Sequence, residues 1–160
     1  MASFRFAKDD FYWMALAVKE AKKAGKKEEV PVGAVLTLNG RKVAAAHNLS
    51  VTLNDPAAHA EILCLHRAGK SLKNYRLDGT ILYVTTEPCA MCAGALLWAR
   101  VKRVVFGAWD KKSGACGSVI NLSNVKKFNH RFQAVGGVLE DECRSLLQDF
   151  FRNKRQMGVN

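Results

Sequence analysis

Hydrophobic and polar positions in the first third of the chain follow first a helical and then a strand period. Apolar residues recur every three to four positions from about Asp10 to Ala24, which predicts an amphipathic helix that stops near Gly25. The runs Val32 to Leu38 and Val43 to His47 are separated by Asn39-Gly40, a sequence typical of a tight hairpin turn. The chain is therefore predicted to begin with a helix followed by two antiparallel strands.

The remainder of the chain alternates helical and strand patterns. Asp55-Pro56 predicts the start of a second helix, with Asp55 as its cap. This helix carries His59 and is predicted to continue to about Ala68. The apolar run Thr80 to Thr85 is typical of a buried strand, and Pro88 restarts the chain as a helix to about Arg100. The later segments are a strand from Arg103 to Ala108, a long functional loop over residues 109–127, a short strand around Ala134-Val135, and a last helix from Asp141 to about Gln156.

Strands that alternate with helices predict a layered α/β fold with an antiparallel hairpin at the start of the sheet. No internal repeat, low-complexity tract or Pro/Gly/Ser-rich linker divides the 160 residues. A chain of this length can bury a full core, so we expect residues 1–160 to form a single domain.

Composition narrows the class of protein. With 49% hydrophobic and 24% charged residues, the chain is ordinary for a globular protein and disorder is not expected. Apolar runs such as Ala93 to Ala99 are too short to cross a bilayer, and Met1 to Asp10 lacks the apolar stretch of a secretory signal. Five cysteines with one C-x-x-C pair make a poor disulfide framework. We therefore expect a cytoplasmic protein without a membrane segment.

The charge is strongly positive. Lys and Arg total 25 against 14 Asp and Glu, a formal net charge of +11, and the excess is concentrated in residues 101–130. A basic surface raises the local concentration of polyanions and speeds their encounter. Solubility alone could account for a basic run, but together with the motif described next this asymmetry favours a nucleic-acid partner over a lipid surface.

Two short motifs provide the residues of a catalytic metal site. His59-Ala60-Glu61 is followed about thirty residues later by Pro88-Cys89-Ala90-Met91-Cys92. One histidine and two cysteines offer three ligands to Zn²⁺, the number typical of a catalytic zinc that keeps its fourth position for water. Glu61 is better suited to moving protons than to joining two thiolates on the metal. A redox dithiol is the competing interpretation of the C-x-x-C pair, but it would not need His59 or Glu61.

These residue types indicate a site that activates water for hydrolysis. Zn²⁺ lowers the pKa of a bound water, and Glu61 would take a proton from that water and pass it to the leaving group. Around a helix axis, however, His59 and Glu61 point roughly 200° apart. Both can therefore address one water only if the metal lies off the N-terminal end of the helix.

The pattern H-x-E…P-C-x-x-C resembles the zinc-dependent nucleobase deaminases, and the whole chain resembles the bacterial-type tRNA adenosine deaminases. The segments that carry this closer resemblance are Val30–Val35, Ala58–Glu61, Tyr83–Thr85, Glu87–Ala95, Arg103–Ala108, Asn129–Arg131 and Asp149–Arg152. It implies a three-layer α/β/α fold of the cytidine-deaminase type with a mixed five-stranded sheet flanked by helices. It also implies conversion of the wobble adenosine of a tRNA anticodon stem-loop to inosine, by a homodimer.

The resemblance assigns roles to individual residues. They are His59, Cys89 and Cys92 as ligands of one zinc ion per chain, Glu61 as proton shuttle, Asn48 and the backbone of Ala58 as base contacts, Val30 as part of the pocket wall, and Asp110 beside the nucleotide that precedes the target. Asn48 could instead be a simple turn residue. Two other functions remain open: a deaminase of free nucleobases or nucleosides, of guanine or cytidine type, and a non-catalytic zinc-containing RNA-binding module.

Overall fold

A computed structural model of the chain describes residues 6–158. The expectation about a secretory signal rests partly on Met1 to Arg5, which lie outside the described residues. Within them the chain forms four helices and five strands: α1 (Lys8–Lys26), β1 (Gly33–Leu38), β2 (Arg41–His47), α2 (Ala60–Leu72), β3 (Ile81–Thr86), α3 (Ala90–Trp98), β4 (Arg103–Ala108), β5 (Gln133–Gly136) and α4 (Glu140–Gln156). Every helix in this part of the chain is too short or too polar to cross a membrane.

The five strands form one mixed sheet in the order β2-β1-β3-β4-β5. Strand β1 is antiparallel to β2 and β3, whereas β4 is parallel to both β3 and β5. Helices α2 and α3 cover one face of the sheet, and α1 and α4 cover the other. The predicted three-layer α/β/α architecture with a mixed five-stranded sheet is confirmed.

The central strands are apolar on both faces because helices cover both. Leu82 and Val84 of β3 pack under α2 and α3, while Tyr83 between them packs under α1 and α4. Strands buried on both faces appear in sequence as continuous apolar runs, as the Thr80 to Thr85 run does. Full burial of one such aliphatic side chain contributes about 1.5–3 kcal/mol, so this double-sided core anchors the sheet.

Both helices that carry the candidate metal ligands begin later than predicted. Asp55 does not cap α2: its Oδ1 accepts a hydrogen bond from the N–H of Ala57 at 2.8 Å and closes a local turn. Helix α2 begins at Ala60 with His59 as its N-cap. Helix α3 begins at Ala90, two residues after Pro88, with Cys89 as its N-cap. The prediction of a helix starting at Asp55-Pro56 is therefore wrong.

Candidate active site

The N-terminal ends of α2 and α3 bring the predicted metal ligands together. His59 and Cys89 are the N-cap residues, both with extended backbones (φ −71°, ψ 154° and φ −72°, ψ 175°), and Cys92 lies in the first turn of α3. An N-cap side chain lies at the end of the helix, where the first backbone N–H groups have no partner within the helix. The ligands therefore meet off the helix ends, as the spacing of His59 and Glu61 requires.

The distances between the ligand atoms fit a tetrahedral zinc site. Nδ1 of His59 lies 3.5 Å from Sγ of Cys92 and 3.7 Å from Sγ of Cys89. Zinc bonds of about 2.0 Å to nitrogen and 2.3 Å to sulfur at a tetrahedral angle separate those atoms by about 3.5 Å. Among residues 6–158 this is the one group of three His, Cys, Asp or Glu residues with such close ligand atoms.

The surroundings of the two thiols favour a thiolate. The hydrogen bond from Cys92, together with the smaller effect of His59, lowers the pKa of Cys89 to about 4 although burial opposes this change. The same contact raises the pKa of Cys92, whereas Cys89 raises the pKa of His59 by stabilising its charged form. The positive end of the α3 dipole adds to the stabilisation of negative charge at this position.

Glu61 is a buried acid directly beside these ligands. It is the second residue of α2, its side chain is buried, and its carboxyl group hydrogen-bonds to Cys92. Burial, the largest effect, raises the pKa of Glu61 to about 7. A carboxyl group with a pKa near neutrality can both accept and release a proton at physiological pH, as general acid–base chemistry requires.

A cleft of about 1010 Å³ opens over these groups. Three of the four predicted substrate contacts, Val30, Asn48 and Asp110, line this cleft together with Glu61. The structure does not bring Ala58 to it. The N–H of Ala58 donates to the carbonyl of Asp55 and its carbonyl accepts from Leu49, so both backbone groups already have partners within the chain.

Glu29, a residue without a predicted role, organises the wall that contains Asn48. The buried carboxylate of Glu29 accepts hydrogen bonds from the N–H of Val51 at 3.2 Å and from the N–H and hydroxyl of Thr52 at 2.6 and 2.8 Å. Burial alone would raise its pKa, but these bonds lower it. Asn48 Nδ2 lies 3.5 Å from Glu29 Oε2, and Ser50 donates to Asn48 Oδ1 at 2.9 Å. The amide of Asn48 therefore has a fixed orientation.

Glu87, also without a predicted role, organises the opposite wall. Its carboxylate accepts hydrogen bonds from the backbone N–H groups of Asp110 at 2.9 Å, Cys116 at 3.0 Å and Ser118 at 2.9 Å, and from the hydroxyl of Ser118. The Glu87 side chain is buried. One carboxylate thus holds both ends of the segment 110–118.

Asp110 lies on this wall, but its carboxylate closes its own turn. It accepts hydrogen bonds from the N–H groups of Lys112 at 2.9 Å and Ser113 at 3.1 Å, and from the hydroxyl of Ser113. Burial raises its pKa, yet the bonds from Ser113 and Lys112 leave the pKa lowered overall. The carboxylate therefore shapes the loop that borders the cleft.

Comparison with known proteins adds independent information. Residues 8–155 match the model of the MafB19-like deaminase family. A tRNA-specific adenosine deaminase of Bacillus subtilis (strain 168) is 52% identical, over 92% of this chain and 91% of the relative. One from Haemophilus influenzae is 46% identical, over 89% of this chain and 83% of the relative. A solved structure from studies of A-to-I editing by tRNA:A34 deaminases at the wobble position has a TM-score of 0.82 and 43% identity, and the match covers 85% of this chain and 99% of that one.

Proposed function

Because the chain belongs to the deaminase family and, within it, to the tRNA-specific adenosine deaminases, we propose that it converts the wobble adenosine of a tRNA anticodon loop to inosine. The observation that supports this proposal is that His59, Cys89 and Cys92 come together beside the buried Glu61. Of these residues, His59, Glu61 and Cys89 line one cleft. The relatives named above support adenosine in tRNA as the substrate.

The three ligands suit one Zn²⁺ per chain. His59, Cys89 and Cys92 would hold it, since their ligand atoms are spaced as a tetrahedral site requires. When bound, zinc supplies the Lewis acidity that makes a coordinated water acidic near neutral pH. Three protein ligands leave the fourth position open, as a hydrolytic site needs.

Glu61 moves the protons of the reaction. Its carboxylate takes one proton from the attacking water and delivers it to the adenine ring nitrogen. It then takes the second proton of that water from the new hydroxyl group and delivers it to the departing amine. The oxygen of water bonds to the ring carbon, the carbon–nitrogen bond breaks, and ammonia leaves. A pKa of about 7 suits Glu61 to both halves of this transfer.

The cleft walls recognise the base. Asn48 presents to the cleft an amide whose orientation is set by Glu29 and Ser50, and Val30 forms part of the pocket wall. The target base must leave its stack, at a cost of a few kcal/mol that is smallest in a single-stranded loop. Phosphate contacts made by basic residues beside the cleft offset that cost.

The proposal is tested by mapping inosine, through sequencing, in total tRNA incubated with the purified protein. We expect inosine at the wobble position of one or a few tRNAs. Turnover on free adenosine, cytidine or guanine that exceeds turnover on an anticodon hairpin would identify a nucleobase or nucleoside deaminase instead. Tight RNA binding without release of ammonia would identify a non-catalytic binding module.

Binding of an anticodon hairpin is expected to weaken steeply with salt, because each neutralised phosphate releases counterions. Lys111 and Lys112 border the cleft, so replacing both by Gln should lower the affinity and reduce the slope of log K against log salt. Arg41 and Lys42, an exposed basic pair at the hairpin end away from the cleft, provide the matched control. An equal change of slope in both double variants would contradict this role of the cleft.

We also propose that the protein is a homodimer, as its resemblance implies. Leu96, Leu97 and Trp98 form an apolar end of α3: Leu96 is buried, whereas Trp98 is 86% exposed. With Phe128 and Leu122, Trp98 lines a second groove of about 270 Å³. Exposed apolar surface of this kind is typical of protein–protein contacts and supports association through this face.

Replacing Trp98 by Glu is expected to convert the dimer to a monomer. Association would bury an unpaired carboxylate in an apolar interface, which is energetically unfavourable. Sedimentation velocity at micromolar concentration measures the change. Tyr12, 61% exposed on the opposite helical layer, gives the control variant Tyr12→Glu, which should remain dimeric. A wild-type chain that sediments as a monomer would rule out the dimer.

We further propose that residues 1–160 act as one zinc-dependent deaminase domain in the cytoplasm. All five cysteines are free of disulfide bonds, and Cys64, Cys116 and Cys143, which are not among the three clustered ligand residues, are buried. Free thiols suit a reducing compartment, which is also where tRNA is modified.

A further inference from the structure

We propose that the indole ring of Trp109 is a stacking surface for a nucleobase adjacent to the target adenosine. This inference rests on the proposed function and adds a binding subsite to it. The ligand class is an unstacked base of a single-stranded RNA loop, held by its flat face and without selection of a particular base.

Trp109 stands at the right place for such a contact. It follows the last residue of β4 directly and lines the same cleft as Glu61 and Cys89. Its side chain is 40% exposed, although it is one of the largest apolar side chains in the protein. Lys111 and Lys112, two and three residues further on, line the cleft as well and provide positive charge for the phosphates on either side of a bound base.

The ring of Trp109 is supported from within the protein. It packs edge to face on the buried Phe106, with ring centroids 4.7 Å apart and an interplanar angle of 88°. A Cβ atom at Gly136 would lie only 2.7 Å from the indole ring, so the backbone there passes directly against it. Gly117 approaches the same ring, at 3.3 Å for an added Cβ atom. The indole is therefore held in place before any ligand arrives.

The backbone on both sides of Trp109 is fixed by Glu87. The N–H of Glu87 donates to the carbonyl of Ala108 at 2.8 Å, and the Glu87 carboxylate accepts from the N–H of Asp110 at 2.9 Å. A contact surface that is already ordered loses little conformational entropy on binding. Trp109 thus combines an exposed aromatic ring with a rigid backbone.

The chemistry of the reaction explains why a nucleobase would occupy this surface. When the target base leaves its stack, the neighbouring base loses a stacking partner on one face. An aromatic side chain can replace that partner, and it does so for any base because every base has a π-face. The carboxylate of Asp110, predicted to serve the preceding nucleotide, is engaged with Ser113 and Lys112, so Trp109 offers the exposed contact on this wall.

The experiment is a double-mutant cycle between Trp109 and the RNA. Wild-type protein and the variant Trp109→Leu are assayed for kcat/KM on an anticodon hairpin and on hairpins with one abasic nucleotide on either side of the target. Loss of a stacked base costs roughly tenfold. We expect Trp109→Leu to lower kcat/KM by about that factor on the intact hairpin and to have little effect on the hairpin that lacks the stacked base.

Two variants separate stacking from packing. Trp109→Phe keeps an aromatic face and should retain most of the wild-type kcat/KM, whereas Tyr75→Leu, at an exposed ring outside the cleft, should leave kcat/KM unchanged. If Trp109→Leu is equally harmful on the intact hairpin and on both abasic hairpins, the ring only packs against Phe106 and the proposal is wrong. If the wild type forms no inosine on any hairpin, the proposed function fails instead, and the two failures are distinct.

Discussion

Replacing Glu61 by Gln is expected to lower kcat by about 10²–10⁴-fold, the usual contribution of a positioned general acid–base group. Gln has nearly the shape of Glu but cannot take a proton from water and pass it to the leaving amine. The side chain is buried beside Cys92, so no solvent-exposed group can substitute for it. Single-turnover release of ammonia from an anticodon hairpin measures the loss directly.

The variant should still bind zinc and RNA, because Glu61 is not one of the three proposed ligands. Metal content per chain and hairpin affinity are therefore expected to match the wild type. Glu28→Gln provides the control, since Glu28 is an exposed acid outside the cleft lining and should retain full turnover. Substantial residual activity in a folded, zinc-loaded Glu61→Gln protein would falsify the proton-transfer role.

Replacing Cys92 by Ser is expected to remove the metal and all measurable turnover. Cys92 is fully buried and its sulfur lies 3.5 Å from Nδ1 of His59, so its loss leaves two ligands, too few for a stable zinc site. Because metal binding and folding are coupled, the Tm should fall by about 5 °C or more, which for a chain of this size corresponds to about 2 kcal/mol. Elemental analysis and thermal unfolding measure the two effects.

Cys64 gives a matched control, since it is an equally buried cysteine of the core that is not one of the three clustered ligand residues. At equal protein concentration, Cys64→Ala should keep one zinc per chain despite a small loss of packing. Wild-type protein treated with a chelator should behave like Cys92→Ser and recover when zinc is returned. A metal-free wild type with full activity would remove the basis of the whole mechanism.

The sheet was predictable because its signals are local. The hairpin is encoded by Asn39-Gly40, whose residues adopt φ values of 51° and 71°, and the bounds of β4 at Arg103 and Ala108 follow directly from an apolar run. The same patterns predicted that both ligand segments lie between a strand and a helix. The layered α/β class and the predicted metal ligands therefore follow from hydrophobic periodicity and from the spacing of one histidine and two cysteines, whereas the three layers and the five-stranded mixed sheet were implied by the family resemblance.

The start of α2 was harder to predict, because the same Asp-Pro sequence can either cap a helix or close a turn. Asp55 followed by Pro56 is a good helix cap, but the Asp55 side chain instead closes a turn with Ala57, and the helix begins five residues after Asp55. His59 takes the N-cap position without a side-chain hydrogen bond to the helix. The chain therefore does not use Asp55 as a helix cap. The predicted metal ligand His59 occupies the N-cap position of α2 instead.

The supports of the cleft walls were not predictable from local patterns. Glu29 bonds to residues about twenty positions away, and Glu87 bonds to Cys116 and Ser118 about thirty positions away, so no sequence window contains both partners. One signal was available for Glu87: an acid at the end of a buried strand, immediately before Pro88 of the ligand motif. For Asp110 the sequence predicted a position beside the substrate but not its hydrogen bonds. Nothing in the local pattern shows that its carboxylate accepts a hydrogen bond from Lys112 within the loop.

The two buried glutamates hold the walls of the cleft from within the protein. Glu29 carries the segment around Thr52, and Glu87 carries the segment from Asp110 to Ser118, while the predicted metal ligands stand on the ends of α2 and α3. The second segment is also joined to the ligand motif, since the N–H of Ala115 donates to the carbonyl of Pro88 at 2.8 Å and Gly114 forms a β-bridge with Cys89. Insertions or deletions in the segment 110–118 are therefore expected to disturb the position of Cys89 as well as the cleft wall.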